Sequence, residues 1–228
     1  MGNNSFLKEN KFLFSVLIPI ILLGALVITL TEREKLHIFF NVLVNQKLNL
    51  FFKSLTFLGD GYFVVACLIV ILFFSFRLFL SGLLSYGLSS LIVQFIKYFI
   101  FPDALRPKTY FEHNVKSYKL VLIEGVDTLG LHSFPSGHTA AAFSLFFVLA
   151  LFCKNNFLKI FFFIMAVLVG FSRIYLSQHF FEDAYAGMII GVICAIFSYV
   201  IFNINLNSSK NSSLDNSIMK LFKKNSND

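Results

Sequence analysis

The chain has 228 residues, of which 57% are hydrophobic and 32 are Phe, with a formal net charge of +7 and a mean hydropathy of +0.77. The apolar residues come in long unbroken blocks. A barrel strand needs only about 10 alternating residues, so these blocks exclude a soluble globular protein and a β-barrel and point to an all-α membrane bundle.

Lys8 and Lys11 precede a first apolar block over 12–30. It is too long for the core of a cleaved signal and lacks a small-residue cleavage site, so it reads as a signal anchor. Five further blocks are long enough to be read as spans, over 62–80, 83–101, 139–153, 157–174 and 184–202, which predicts a six-transmembrane helical bundle. Between the first two spans, over 36–58, His37, Asn41, Asn45, Asn49 and Lys53 recur every fourth residue among Phe, Leu and Val. That spacing draws a polar stripe on a helix and predicts an additional interfacial helix; a seventh span is the alternative reading. The longest polar connection runs over 102–135, a length typical of functional loops. The expected organisation is an N-terminal segment 1–11, a membrane domain 12–203, and a disordered polar tail 204–228 in which 218–224 rests on lipid headgroups. Cys67, Cys153 and Cys194 lie in or beside the apolar blocks without a pairing pattern and read as small core hydrophobes. Lys and Arg divide almost evenly between the two faces, and the acids fall mostly on the loop side, which places both termini in the cytoplasm.

With that topology, the polar residues that interrupt the blocks gather at one membrane face: Lys97, Arg106 with Pro107, Ser136-Gly137-His138, Ser172-Arg173, His179 and Asp183. Ionisable groups at membrane depth cost about 2.5–3.5 kcal/mol each even on lenient scales, so their grouping calls for a purpose. Lys97, Arg106 and Arg173 supply fixed positive charge, Arg with a planar fork suited to phosphate oxygens. Ser136 and Gly137 open a helix, where free backbone N–H groups attract an anion and Gly lets it come close. His179 and Asp183 are four apart, on one helical face, so the carboxylate can fix the imidazole tautomer and leave the other nitrogen free as nucleophile or base. His138 remains as the proton donor to a departing oxygen. Taken singly, each fragment has a plainer reading: a surface ion pair, a snorkelling cation, a helix cap. Zinc held by His138, His179 and Asp183 is the sharper rival, opposed by three nearby cations that repel a divalent ion and attract an anion.

The ordered set Lys97…Arg106-Pro107, Pro135-Ser136-Gly137-His138 and Ser172-Arg173-x5-His179-x3-Asp183 resembles the three-part signature of the type 2 phosphatidic acid phosphatases, shared with lipid phosphate phosphatases and vanadium haloperoxidases. The likeness covers the six spans and leaves out the tail. It implies an in-line attack by His179 on a phosphate, with His138 as acid, Asp183 orienting His179, and Lys97, Arg106, Arg173, Ser136 and Gly137 holding the phosphoryl oxygens. It implies no metal and no cofactor. Family members have six residues between the first Lys and the Arg-Pro pair, whereas eight intervene here, so either Lys97 still reaches the site or Lys108 takes its place.

The resemblance implies a metal-independent phosphatase of the bacterial inner membrane, acting on a lipid phosphomonoester or pyrophosphate at the periplasmic face. Undecaprenyl pyrophosphate is the favoured substrate, with lipid A phosphates and phosphatidylglycerophosphate as alternatives, and the 102–135 loop is the expected source of specificity. A soluble haloperoxidase is excluded by the six spans. No nucleic-acid partner is expected. A non-catalytic phosphate-ester transporter or scaffold is the alternative from a different class, opposed by the complete set of named roles.

Overall fold

The computed structural model describes residues 3–205 and is helical, with no strand among the described residues. Helix α1, Asn3–Leu30, carries Pro19 in its interior and exposes Leu22, Leu23 and Leu26, the lipid-facing pattern expected of a peripheral span. The helix expected over 36–58 is two helices, α2 (Arg33–Asn41) and α3 (Gln46–Thr56). They separate because Asn45 is extended and its side chain accepts from the Leu48 N–H, starting a new helix where the stripe had suggested a continuous one. A short 3₁₀ turn, Phe57–Gly59, leads into α4, Gly61–Phe74, whose first turn is capped by Asp60 through the Tyr62 N–H.

The apolar run that follows breaks earlier than its composition suggests. The sequence places the boundary at 81–82, but the chain turns at Ser75, which is extended (φ −159°) and caps α5, Phe76–Phe95, by accepting from the Leu78 N–H. Ser81 and Gly82 instead lie inside α5 and are buried; Leu68 fills the space a side chain at Gly82 would need. Helix α5 continues into a widened π-type turn, Ile96–Ile100, closed by Phe101 N–H to Ile96 carbonyl at 2.8 Å. The 102–135 connection contains α6, Pro107–Asn114, and three further helices follow: α7 (Gly137–Phe152), α8 (Asn156–Tyr175) and α9 (Phe181–Tyr199).

Four helices are long and apolar enough to cross a bilayer unaided: Phe6–Leu30, Phe76–Ile100, Asn156–Tyr175 and Phe181–Phe202. Gln46–Gly59 and Gly61–Phe74 pass the same test only together, bent by 58°. Helix α7 has 16 residues, about 24 Å of rise against a hydrocarbon layer of about 30 Å. The expected six crossings are therefore reached only by counting the bent pair and this short helix.

Helix α7 is the centre of the bundle, wrapped by α5, α8 and α9, with nearly every side chain buried. Close approach explains why it bears Ala140, Ala141 and Ala142 and why α9 faces it with Gly187 and Gly191. A Cβ at Gly187 would stand 2.5 Å from the Ser136 carbonyl, and one at Gly191 would stand 2.7 Å from the Ala140 carbonyl. Small residues four apart let backbones touch where lipid supplies no hydrophobic drive between helices. The expected tail beyond 205 lies outside the described residues.

Candidate active site

Ser136 caps α7, accepting from the Thr139 N–H and Thr139 hydroxyl, while its own N–H donates to the Asp183 carbonyl at 2.9 Å. The start of α7 is thereby tied to the start of α9. Gly137 follows, with open space on its Cβ side as far as Val93 at 3.8 Å, so its backbone stays accessible to a ligand. The N-terminus of α7 and its dipole open onto a cavity of about 820 Å³ lined by Lys97, Arg106, Gly137, His138, Arg173 and His179.

Neutral oxygens hold the three cations, loop carbonyls for two of them and a hydroxyl for the third. Lys97 Nζ donates to His132 O at 2.9 Å, and Arg106 donates to Leu131 O at 3.1 Å and Gln178 O at 3.4 Å. Arg173 Nη1 donates to the Thr56 hydroxyl at 2.6 Å, while its buried Nε has no partner among the described residues. Neutral acceptors fix these side chains without neutralising them, which leaves the charge for an anion. Lys97 lies on the widened turn of α5. That turn and the tight turn closed by Ala104 N–H to Phe101 carbonyl take up the extra length before Arg106. Lys108 lines a different cavity, with Phe111, Lys116 and Lys119, so Lys97 is the lysine beside the other cations.

His179 lies in the turn between α8 and α9, 2% exposed, with Nδ1 3.4 Å from Asp183 Oδ2. The same carboxylate oxygen accepts from the Ser133 hydroxyl at 2.5 Å and the Phe180 N–H at 2.9 Å. Asp183 is held on three sides and so fixes the ring that it faces. Burial pushes the His179 imidazole well below its ordinary value, and Arg106, Arg173 and Lys97 push in the same direction, so the ring is neutral at neutral pH. Burial also lowers Arg106, partly offset by Asp183.

His138 lines the same cavity, and its Nε2 stands 3.9 Å from Asp60 Oδ2. That is too long for a hydrogen bond, and it leaves a carboxylate facing the imidazole. Gly59 permits the approach: a Cβ there would lie 2.7 Å from the His138 carbonyl. Among the described residues no group of three or more His, Cys, Asp and Glu side chains is placed to hold a metal ion.

The structure brings all eight residues singled out from sequence to one place, with Ser136 as the cap beneath the cavity. It adds Asp60, Thr56 and Ser133. Asp60 follows from the topological rule that grouped the others, since it precedes a span on the same face; Thr56 and Ser133 have no such signal. It also gives the polar stripe of α2 a task. Ser177, in the left-handed region (φ +50°), shapes the turn before His179, and its hydroxyl meets His37 Nε2 and Asn41 Nδ2 at 3.2 Å each. Asn41 also bonds both backbone groups of Val121 and the Tyr118 hydroxyl, so one buried amide joins the turn that bears His179 to the 102–135 segment. Burial lowers His37 to about 4, which keeps it neutral within this cluster.

The PAP2 superfamily is matched over residues 78–206. The bacitracin transport permease protein BcrC of Bacillus licheniformis is 38% identical over 68 residues, 30% of this chain and 32% of that protein, so the match spans about a third of the relative's length. Among solved structures, LpxE of Aquifex aeolicus superposes with a TM-score of 0.60 and 31% identity over 72% of this chain and 92% of its own. A PAP2 type phosphatidylglycerolphosphate phosphatase from Bacillus subtilis superposes with a TM-score of 0.63 over 90% of this chain and 98% of its own; at 24% identity this is a likeness of fold. The second and third motifs converge within the matched segment, and more than half the chain lies inside it: the protein is a helical membrane member of the PAP2 superfamily.

Proposed function

We propose that the protein removes phosphate from a membrane lipid at the periplasmic face of the inner membrane, through a phosphohistidine. The observation that carries this reading is a single cavity lined by His138, His179 and three cations, the cations donating to neutral oxygens among the described residues. His179, with Nδ1 turned to Asp183, presents Nε2 to phosphorus. A P–N bond forms as the P–O bond to the lipid breaks, and His138 gives its proton to the departing oxygen. Water then attacks the phosphohistidine, losing a proton to His138, and orthophosphate leaves. Lys97, Arg106, Arg173 and the Gly137 backbone stabilise the charge on the equatorial oxygens. The reactive phosphate hangs from a lipid whose tails stay in the bilayer, which accounts for an acid standing at the mouth of so apolar a helix.

The test is phosphate release by the purified full chain in detergent from a panel of lipid phosphates, with EDTA present and absent. The wild type releases phosphate in both conditions, and His179→Ala lowers the rate by at least about 10³-fold while keeping the wild-type thermal midpoint within a few degrees. Near wild-type release by that variant, or a strict need for added divalent metal, overturns the reading.

A further inference from the structure

Helix α5 carries a polar stripe that none of the steps above uses. Tyr86, Ser89, Ser90 and Gln94 lie at i, i+3, i+4 and i+8, on one helical face, and Ser81 and Ser85 continue it towards the opposite end of the helix. Ser81 and Ser85 are fully buried, and Ser85 donates to the Ser144 carbonyl of α7, so that end serves helix packing. The other four residues line a second cavity, of about 190 Å³. Polar side chains at membrane depth that are not used in packing mark a water-filled or ligand-filled space.

This cavity shares Val93, Gln94, Gly137 and His138 with the phosphate cavity but does not reach His179. In an in-line displacement the departing group lies opposite the nucleophile, so it lies on the His138 side, where this second space opens. The two cavities differ in charge. Lys97, Arg106 and Arg173 line the first together with one carboxylate, Asp127; neither Lys nor Arg lines the second, and Asp60 stands beside the histidine they share. Gly61 allows the Tyr86 hydroxyl in, since a Cβ there would lie 2.6 Å from it. Ser89 spends its hydroxyl on the Tyr86 carbonyl, so Tyr86, Ser90 and Gln94 are the groups offered to a ligand.

We propose that this side cavity is the leaving-group subsite and that it recognises an uncharged, hydroxyl-bearing group, a sugar or a glycerol, esterified directly to the phosphate. The inference rests on the phosphatase reading and narrows its substrate class. A polyprenyl pyrophosphate would present a second phosphate to a space that has no cation and a carboxylate nearby, whereas a polyol finds donors and acceptors there. In the step itself the P–O bond to the polyol breaks, the His138 proton passes to that oxygen, and the hydroxylated lipid departs intact.

The experiment uses the purified full chain in detergent with three lipids: a glycosyl-1-phosphate lipid, a glycerol-phosphate lipid and a polyprenyl pyrophosphate. Wild-type kcat/KM is highest on one of the first two, and which one it is distinguishes sugar from glycerol. The Tyr86→Phe/Ser90→Ala variant lowers kcat/KM on the preferred lipid, and its preference over the pyrophosphate, by about tenfold. A wild type that prefers the pyrophosphate overturns the subsite, as does a variant whose preference is unchanged, while the phosphatase reading stands in either case. Absence of phosphate release from all three lipids overturns the phosphatase reading and the subsite with it.

Discussion

Two imidazoles line one cavity among three cations. Burial lowers the His179 pKa, and Arg106, Arg173 and Lys97 add to it. The group charges only well below its ordinary value, so it stays nucleophilic as pH falls through 6.5. The acid limb of kcat/KM for the free enzyme is therefore expected well below 6.5, and a limb centred near 6.5 would contradict the assignment. His138 has Asp60 at 3.9 Å. Asp60→Asn removes the carboxylate that faces His138 while keeping an oxygen to cap the Tyr62 N–H, so kcat on a lipid phosphate is expected to fall roughly tenfold at an unchanged thermal midpoint. A merely structural Asp60 would leave kcat in place. The motif residues were legible because their spacing on short segments carries their chemistry. Asp60, Thr56 and Ser133 were less so, because each reaches its partner across many residues of chain: Ser133 and Asp183 are 50 apart, Arg173 and Thr56 117 apart. Spacing along one helix says nothing about such pairs.

At the scale of elements, the number and type of helices follow from apolar blocks, while their ends follow from single caps. The break at Ser75 and the start of α3 at Asn45 depend on one side chain each accepting one N–H, a signal that the surrounding apolar or striped pattern hides. The contact between α7 and α9 is more demanding, because it sets the Ser136 N–H against the Asp183 carbonyl. Gly187→Ala drives a methyl to 2.5 Å from the Ser136 carbonyl. The expected result is a loss of about 1–3 kcal/mol in stability together with lower kcat, because the cap beneath the phosphate shifts with the helix. Gly87→Ala is the control, since a Cβ there meets nothing within 4 Å; it should raise the thermal midpoint slightly and leave turnover unchanged.

Over the whole molecule, the sequence established an all-α membrane bundle with its chemistry on one face, and the packing supplied what the pattern could not. The striped segment exposes Phe39, Val42, Leu48 and Leu50 on one side and braces the site on the other, where His37 and Asn41, 1% and 2% exposed, close on Ser177. The phosphate-holding residues suit any phosphate ester and do not choose among lipids; the hollow beyond His138 is the feature on which the proposed preference for polyols rests. The convergence of Lys97, Arg106 and Arg173 on neutral acceptors has a thermodynamic counterpart. Their mutual repulsion is a standing cost of the folded state, and an occupant of opposite sign relieves it. Millimolar orthophosphate is therefore expected to raise the melting midpoint in detergent, by an amount equivalent to about 2.7 kcal/mol at a hundredfold excess over its dissociation constant, and chloride at equal ionic strength to do so far less. The same anchorage is expected to retard escape of the inorganic product: competitive product inhibition, with turnover paced by export of the spent anion, would be the kinetic signature of a receptacle charged in advance of its cargo.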